Sequence, residues 1–313
     1  MRFSLNNYIV LLGFIVGIAS IITLGYAEER LKVRSSPLAG GWYPSNSEDL
    51  RKMLTNYLKE AQVPKIDANI FALISPHAGY SFSGRAAAYG FKTIVGKEYD
   101  RVIILGPSHY ERFRGICVSS YDSYETPLGR VPVERKVGDD LSRSSLFKPN
   151  PNAEAQEHSL EMEIPYLQMV LKNFKIIPLV VGELREDDYP IIAELLRPLL
   201  TEKTLVVVSS DFTHFGWRFG YLPFSENIKE NLRKLDLGAV DSILKKDLTG
   251  YLHYLQETGI TICGGAPIGI LLQLLPPEVE GSLLTYYTSG DLLNDYSSTV
   301  SYVSLVFKRP VVK

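Results

Sequence analysis

The sequence predicts an α/β fold in which strands are covered by helices on both faces, and three observations predict it. Several short runs rich in valine and isoleucine are apolar at every position, as strands buried on both faces must be. These runs alternate with stretches whose apolar residues recur at helical spacing. The 24 glycines and 18 prolines are spread along the chain rather than gathered in one tract, which marks many turns within one folded body.

Taken in chain order, the first element stands apart. From Tyr8 to Ala27 there is no charged residue, with Arg2 before the run and Glu28, Glu29 and Arg30 after it. That length suits an N-terminal membrane anchor, or a secretory signal peptide whose Gly25-Tyr26-Ala27 offers small residues to a peptidase. Residues 1–27 are therefore expected to lie in a membrane or to be cleaved on export, so the protein is expected to be membrane-anchored or exported. Basic residues flank the run on both sides, which leaves its orientation open. Residues 28–313 are expected to form one domain. There Ser47 is the expected N-cap of a helix carrying Leu50, Met53, Leu54 and Leu58 on one side. Residues 70–74 make the first core strand, and a helix from about 83 to 94 follows. The runs at 102–105, 176–181, 205–209, 283–287 and 300–307 are the further buried strands. Amphipathic segments over 157–174, 225–244 and 267–275 supply covering helices, the first interrupted by Pro165.

Composition excludes several classes of function. Lysine and arginine total 33 against 35 acids, a net charge of −2, so there is no excess positive charge for a phosphate backbone and nucleic acid is not an expected partner. Two cysteines, Cys117 and Cys263, are too few for a disulfide framework. The GGAPIG run at 264–269 lacks the lysine of a phosphate loop and the order of a dinucleotide fingerprint.

Chemistry is expected where three of the apolar runs end alike, in a polar turn. ALISPHAGY delivers His77, IILGPSHYE delivers His109, and VVVSSDFTHFG delivers Asp211 and His214. Sites in open α/β sheets lie beyond the carboxyl ends of parallel strands, so these loops can converge on one crevice. His158 opens EHSLEMEIPY, where a helix would place His158 and Glu161 on a shared face. Imidazoles and carboxylates clustered in this way either hold a metal ion or carry metal-free acid and base work, and metal is the favoured reading. Cys263, among glycines at the expected start of a helix whose N–H groups favour a thiolate, is the candidate third ligand, with a plain core cysteine as the alternative. Asp211 either acts at the site or caps its turn. Tyr80, Tyr110, Phe212, Phe215 and Trp217 either wall a pocket or belong to the core, and Trp42 and Tyr43 either cover the crevice or pack the N-terminal segment.

ISPHAGYSFSG, LGPSH, EHSLEMEIPYL, SSDFTHFGWRF and ICGGAPIG follow the early LAGGWYP, and from about Arg34 to its end the sequence resembles the Memo family, whose bacterial and archaeal members are called AmmeMemoRadiSam system protein B. Members look like class III extradiol dioxygenases. The resemblance implies a three-layer αβα sandwich with a central, mostly parallel or mixed sheet. It also implies a transition metal held by His77, His109 and Cys263, with Asp211 and His214 beside it; Fe(II) is favoured, with copper or zinc as alternatives. The expected function is a metal-dependent oxidoreductase acting on a small-molecule or peptide substrate, with His214, Asp211, His158 and Glu161 as candidate catalytic residues. In that reading His214 or His158 moves protons and Asp211 orients an imidazole. The alternatives are a non-catalytic module that binds a peptide or protein through Arg85, Arg112 or Arg218, and a metal-dependent hydrolase.

Overall fold

A strand that is apolar on both sides is stable only where layers cover both of its faces, and four such strands make the centre of the molecule. The computed structural model describes residues 31–310. In it Ile70–Ser75, Arg101–Pro107, Lys175–Val181 and Thr204–Ser209 are buried at nearly every position. They pair in parallel, with Arg101–Pro107 between Lys175–Val181 and Thr204–Ser209, and Ile70–Ser75 beyond the latter. Antiparallel strands flank this centre. Ile116–Val118 joins Lys175–Val181 on one side, and Ser298–Lys308 joins Ile70–Ser75 on the other. The sheet is therefore mixed and parallel in the middle, with eight strands side by side and a ninth off that path.

Alternate residues of each central strand serve opposite layers, as the two-residue period of a strand requires. Phe71, Ile103, Val206 and Val208 pack with Ile192, Val240, Ile243, Tyr251 and Leu271, from the helices Asp188–Leu196, Ile228–Leu244, Leu248–Thr258 and Gly265–Leu274. Leu73, Val102, Ile104 and Val207 pack on the other face with Leu50, Leu54, Ala88, Phe91 and Leu167, from Ser47–Glu60, Tyr80–Lys92 and Ile164–Val170. These are the three layers of the expected sandwich.

The differences from expectation have local causes. Asn46, not Ser47, caps the first helix, its side-chain oxygen accepting from the N–H groups of Glu48 and Asp49. Pro165 falls in the first turn of Ile164–Val170, where its missing N–H costs nothing, and this separates that helix from the short His158–Glu161 helix. The run expected as a buried strand at 283–287 lies in Glu280–Thr288, which is only partly buried; it pairs with Ser298–Lys308 and lies off the main path of the sheet. Both cysteines are free.

The membrane expectation is corrected. No helix among the described residues is long and apolar enough to cross a membrane, and the run at 8–27 that prompted the expectation lies outside the described residues. The anchored or exported location, the signal peptide and the membrane partner are withdrawn with it.

One buried ion pair ties the start of the described chain to the layer that carries His158. Arg34, in the two-residue strand Val33–Arg34, donates from Nη1 to Glu161 Oε2 at 2.5 Å, from Nη2 to the Glu157 carbonyl at 2.7 Å and from Nε to the Glu154 carbonyl at 3.0 Å. Ser36 Oγ and Tyr43 Oη donate to the other oxygen of Glu161 at 2.6 and 2.5 Å. Each of the three guanidinium nitrogens thus meets an acceptor, which is the condition under which a buried charge is tolerated. Arg34→Met should lower stability in urea unfolding by about 3–5 kcal/mol, because it strands the Glu161 charge. Adding Glu161→Gln to that variant should recover part of the loss.

Candidate metal centre

The parallel pairing sets the geometry of the site. Ser75 lies opposite Ser209, and Leu105 lies opposite Val208, so the chains leaving three neighbouring strands emerge at one edge. His77 follows the first of these strands, His109 the second, and Asp211 and His214 the third. Cys263 reaches the same edge from the turn before Gly265–Leu274. Its sulfur lies 3.2 Å from His77 Nε2 and accepts from the main-chain N–H of Asp211 at 3.2 Å. Ligand atoms of His77, His109 and Cys263 all lie within 4.8 Å of one another, with His77 buried, Cys263 half-buried and His109 exposed. Two glycines allow this approach. A Cβ at Gly106 would lie 2.4 Å from Ser159 Oγ, and one at Gly264 would lie 2.4 Å from Ser210 Cβ and 2.8 Å from the Ser209 carbonyl oxygen.

Each histidine of the trio is held by its Nδ1 atom, which leaves Nε2 for other work. Glu157 Oε1 lies 2.8 Å from His109 Nδ1, and its Oε2 accepts from the His109 main-chain N–H at 2.7 Å. Ser209 Oγ lies 2.8 Å from His77 Nδ1. Burial opposes ionisation of Glu157, but the hydrogen bonds from His109 and from the Ser159 N–H outweigh it and hold the carboxyl below its ordinary range. Burial, reinforced by any positive charge on His109, His158 and His214, keeps His77 well below the usual imidazole range. The Cys263 thiol is pushed well up by burial and by the neighbouring Asp211 charge. The helix start that was expected to favour a thiolate does not prevail over that burial.

His158 joins the cluster, its ring centroid 4.1 Å from that of His109 and 5.2 Å from that of His77. Burial, with the charge of His109, pushes its pKa down to about 4. Its buried Nδ1 atom makes no hydrogen bond of normal geometry among the described residues, and Glu157 Oε1 lies 3.5 Å from it. Together with His109 and Glu157 it forms a second group whose ligand atoms lie within 4.8 Å of one another. Glu161 was expected on the same face as His158, but its carboxylate is taken up by Arg34, Ser36 and Tyr43. Asp211 was expected to orient an imidazole, and its Oδ1 instead accepts the main-chain N–H of His77 at 2.9 Å. His214 Nδ1 lies 2.9 Å from the Phe212 carbonyl and 3.0 Å from the Thr261 carbonyl, two acceptors that place a hydrogen on Nδ1.

The surroundings separate the aromatic residues. Trp42 lies 4.6 Å from the His158 ring centroid and Tyr110 lies 5.9 Å from it, whereas Tyr80, Phe212 and Phe215 are core and Trp217 is 86% exposed. Arg85 is paired with Glu60. Arg112 lines a cleft of about 220 Å³ that opens on Cys263 and is walled by Ser108, Phe113, Glu183 and Pro267. Sequence reasoning missed Glu157, Glu163 and Ser209. Glu157 adjoins His158, and that adjacency was its only signal.

Comparison with known proteins agrees with the fold and with the motifs. A family model described as Memo-like protein matches residues 34–306. The memo-1 homolog of Caenorhabditis elegans is 35% identical over 293 residues, covering 88% of this chain and 83% of that one. Protein MEMO1 of Homo sapiens is 33% identical over 290 residues, covering 88% and 97%. Among solved structures, the uncharacterized protein JW3007 from Escherichia coli K12 superposes with a TM-score of 0.51 at 14% identity, over 76% of this chain and 99% of that one, a likeness of fold.

Gly264→Ala should lower stability in urea unfolding by about 1–3 kcal/mol, since its added carbon meets backbone as well as the Ser210 side chain. It should also weaken Co²⁺ binding measured by titration of the absorption of the bound ion, because Cys263 must move with its neighbour.

Proposed function

The chain belongs to the Memo-like protein family, and on that premise we propose that it is a metal-binding protein working as a non-haem iron-dependent oxidoreductase on a small-molecule or peptide substrate. The observation that carries this reading is the convergence of His77, His109 and Cys263, three residues from distant segments, with ligand atoms within 4.8 Å of one another. The donor set fits the group. Two imidazoles and one sulfur are borderline to soft ligands that suit Fe, Cu and Zn ions and not Mg²⁺ or Ca²⁺. The Nδ1 atoms engaged by Ser209 and Glu157 leave each Nε2 lone pair for coordination. Fe(II) is favoured because the resemblance to extradiol dioxygenases supports oxygen chemistry; the donor set also accepts copper or zinc. When bound, such an ion supplies Lewis-acid and one-electron chemistry at open coordination positions.

The other residues have roles that follow from their contacts. His214 presents Nε2 as a proton acceptor because two carbonyls hold its Nδ1–H. His158, with a low proton affinity and its Nδ1 turned toward the Glu157 carboxylate 3.5 Å away, is held neutral in the cluster and exchanges a proton with a substrate hydroxyl or thiol entering it. Asp211 keeps the His77 turn in place through its main chain. Trp42 and Tyr110 keep water from His158, and the cleft beside Cys263 admits the substrate.

The full chain, prepared without oxygen and supplied with Fe(II), should hold about one ion per chain by elemental analysis, and His77→Ala, His109→Ala and Cys263→Ala should each lose it. Oxygen uptake above that of free iron, with a panel of phenols and thiols, should accompany the bound ion. Metal retained by Cys263→Ala would remove the sulfur from the ligand set, and no uptake with any of the panel would remove the oxidoreductase reading.

A further inference from the structure

Ser209 Oγ has three neighbours at hydrogen-bonding distance: the Ser159 carbonyl oxygen at 2.6 Å, Glu163 Oε1 at 2.7 Å and His77 Nδ1 at 2.8 Å. A hydroxyl has one hydrogen and two lone pairs. The Ser159 carbonyl can only accept, and two oxygens 2.6 Å apart with no hydrogen between them repel. The Ser209 hydrogen is therefore directed at Ser159, and Ser209 accepts in its other two contacts. His77 then donates through Nδ1–H, and Glu163 donates through a protonated carboxyl. The second oxygen of Glu163, Oε2, is buried and makes no hydrogen bond of normal geometry among the described residues, which suits the carbonyl oxygen of a neutral acid and would be costly for a carboxylate. Although the Ser75 hydroxyl favours the charged form, burial outweighs it. Burial pushes this carboxyl well above its ordinary range, and the charge of Asp211 adds to the effect. The Cys263 sulfur lies 3.2 Å from His77 Nε2 and 3.4 Å from the Asp211 carbonyl, the two acceptors open to its S–H.

We propose that Glu163 is a buried neutral carboxylic acid and, acting through Ser209, a positioning residue that fixes His77 as the Nδ1–H tautomer with Nε2 turned to Cys263. The importance of this for an ion rests on the metal-centre reading, but the placement of the protons does not. A single tautomer matters because the alternative form puts a hydrogen on the very nitrogen that must coordinate.

Infrared and ¹⁵N NMR spectra of the metal-free full chain at neutral pH test the proposal, with Co²⁺ titration as the affinity readout. The wild type should show the carbonyl stretch of a protonated carboxylic acid, shifted in D₂O and missing from Glu163→Gln. The His77 resonances, assigned with His77→Ala, should report Nδ1–H. Ser209→Ala should lose the tautomer preference and bind Co²⁺ about tenfold to a hundredfold more weakly, the range typical of losing an outer partner of a metal-bound histidine. Glu163→Gln should weaken binding by less than about threefold, because its amide still donates to Ser209. No acid band in the wild type, an Nε2–H tautomer, or a fall in Glu163→Gln as large as in Ser209→Ala would overturn the proposal. If no protein in the series binds Co²⁺ while the band and the tautomer are present, the metal-centre reading fails and the proton arrangement stands.

Discussion

The parallel register of three central strands is the constraint on which the rest depends. Because Ile70–Ser75, Thr204–Ser209 and Arg101–Pro107 run the same way and end nearly level, the residues that follow them have one edge in common. Reversing any one of them would send its histidine to the opposite end of the sheet, roughly 20 Å away for a six-residue strand. The hydrophobic effect that buries these strands on both faces is what fixes the edge, so the stability of the core and the assembly of the site have a common origin.

The site shows how a protein uses different supports for chemically similar groups. His109, the exposed member of the trio, is steadied by a carboxylate that also binds its main chain. His77, the buried member, is steadied by a hydroxyl. A full negative charge beside a buried imidazole would need its own compensation, whereas a hydroxyl can be satisfied by a carbonyl. The partners of the two rings therefore match the depth of each.

Much of this was legible in the sequence, and the physical reason is proximity along the chain. Strands that are apolar throughout identify themselves, and His77, His109, Asp211 and His214 follow directly on them. The residues that stayed hidden are those whose partners are remote. Arg34 meets groups 120 to 127 positions away, and Ser209 meets Ser159 and Glu163 50 and 46 positions away. Nothing about a lone arginine or serine announces such a partner. The tie of Glu161 to Arg34 stayed hidden for the same cause, since its helical neighbour His158 is close in the chain and Arg34 is not. The partly exposed Glu280–Thr288 strand is apolar enough to pass for a buried one, because its sequence does not reveal that it lies off the main path of the sheet.

Three glutamates within residues 157–163 each answer to a different part of the molecule: Glu157 to His109, Glu161 to Arg34 and Glu163 to Ser209. In helical chain each residue advances the side-chain direction by about 100°. Gaining or losing one residue between any two of these glutamates would therefore turn at least one of the three away from its partner. The length of this stretch is locked even where its composition is not, and any recombination or grafting of this scaffold has to place its junctions outside it.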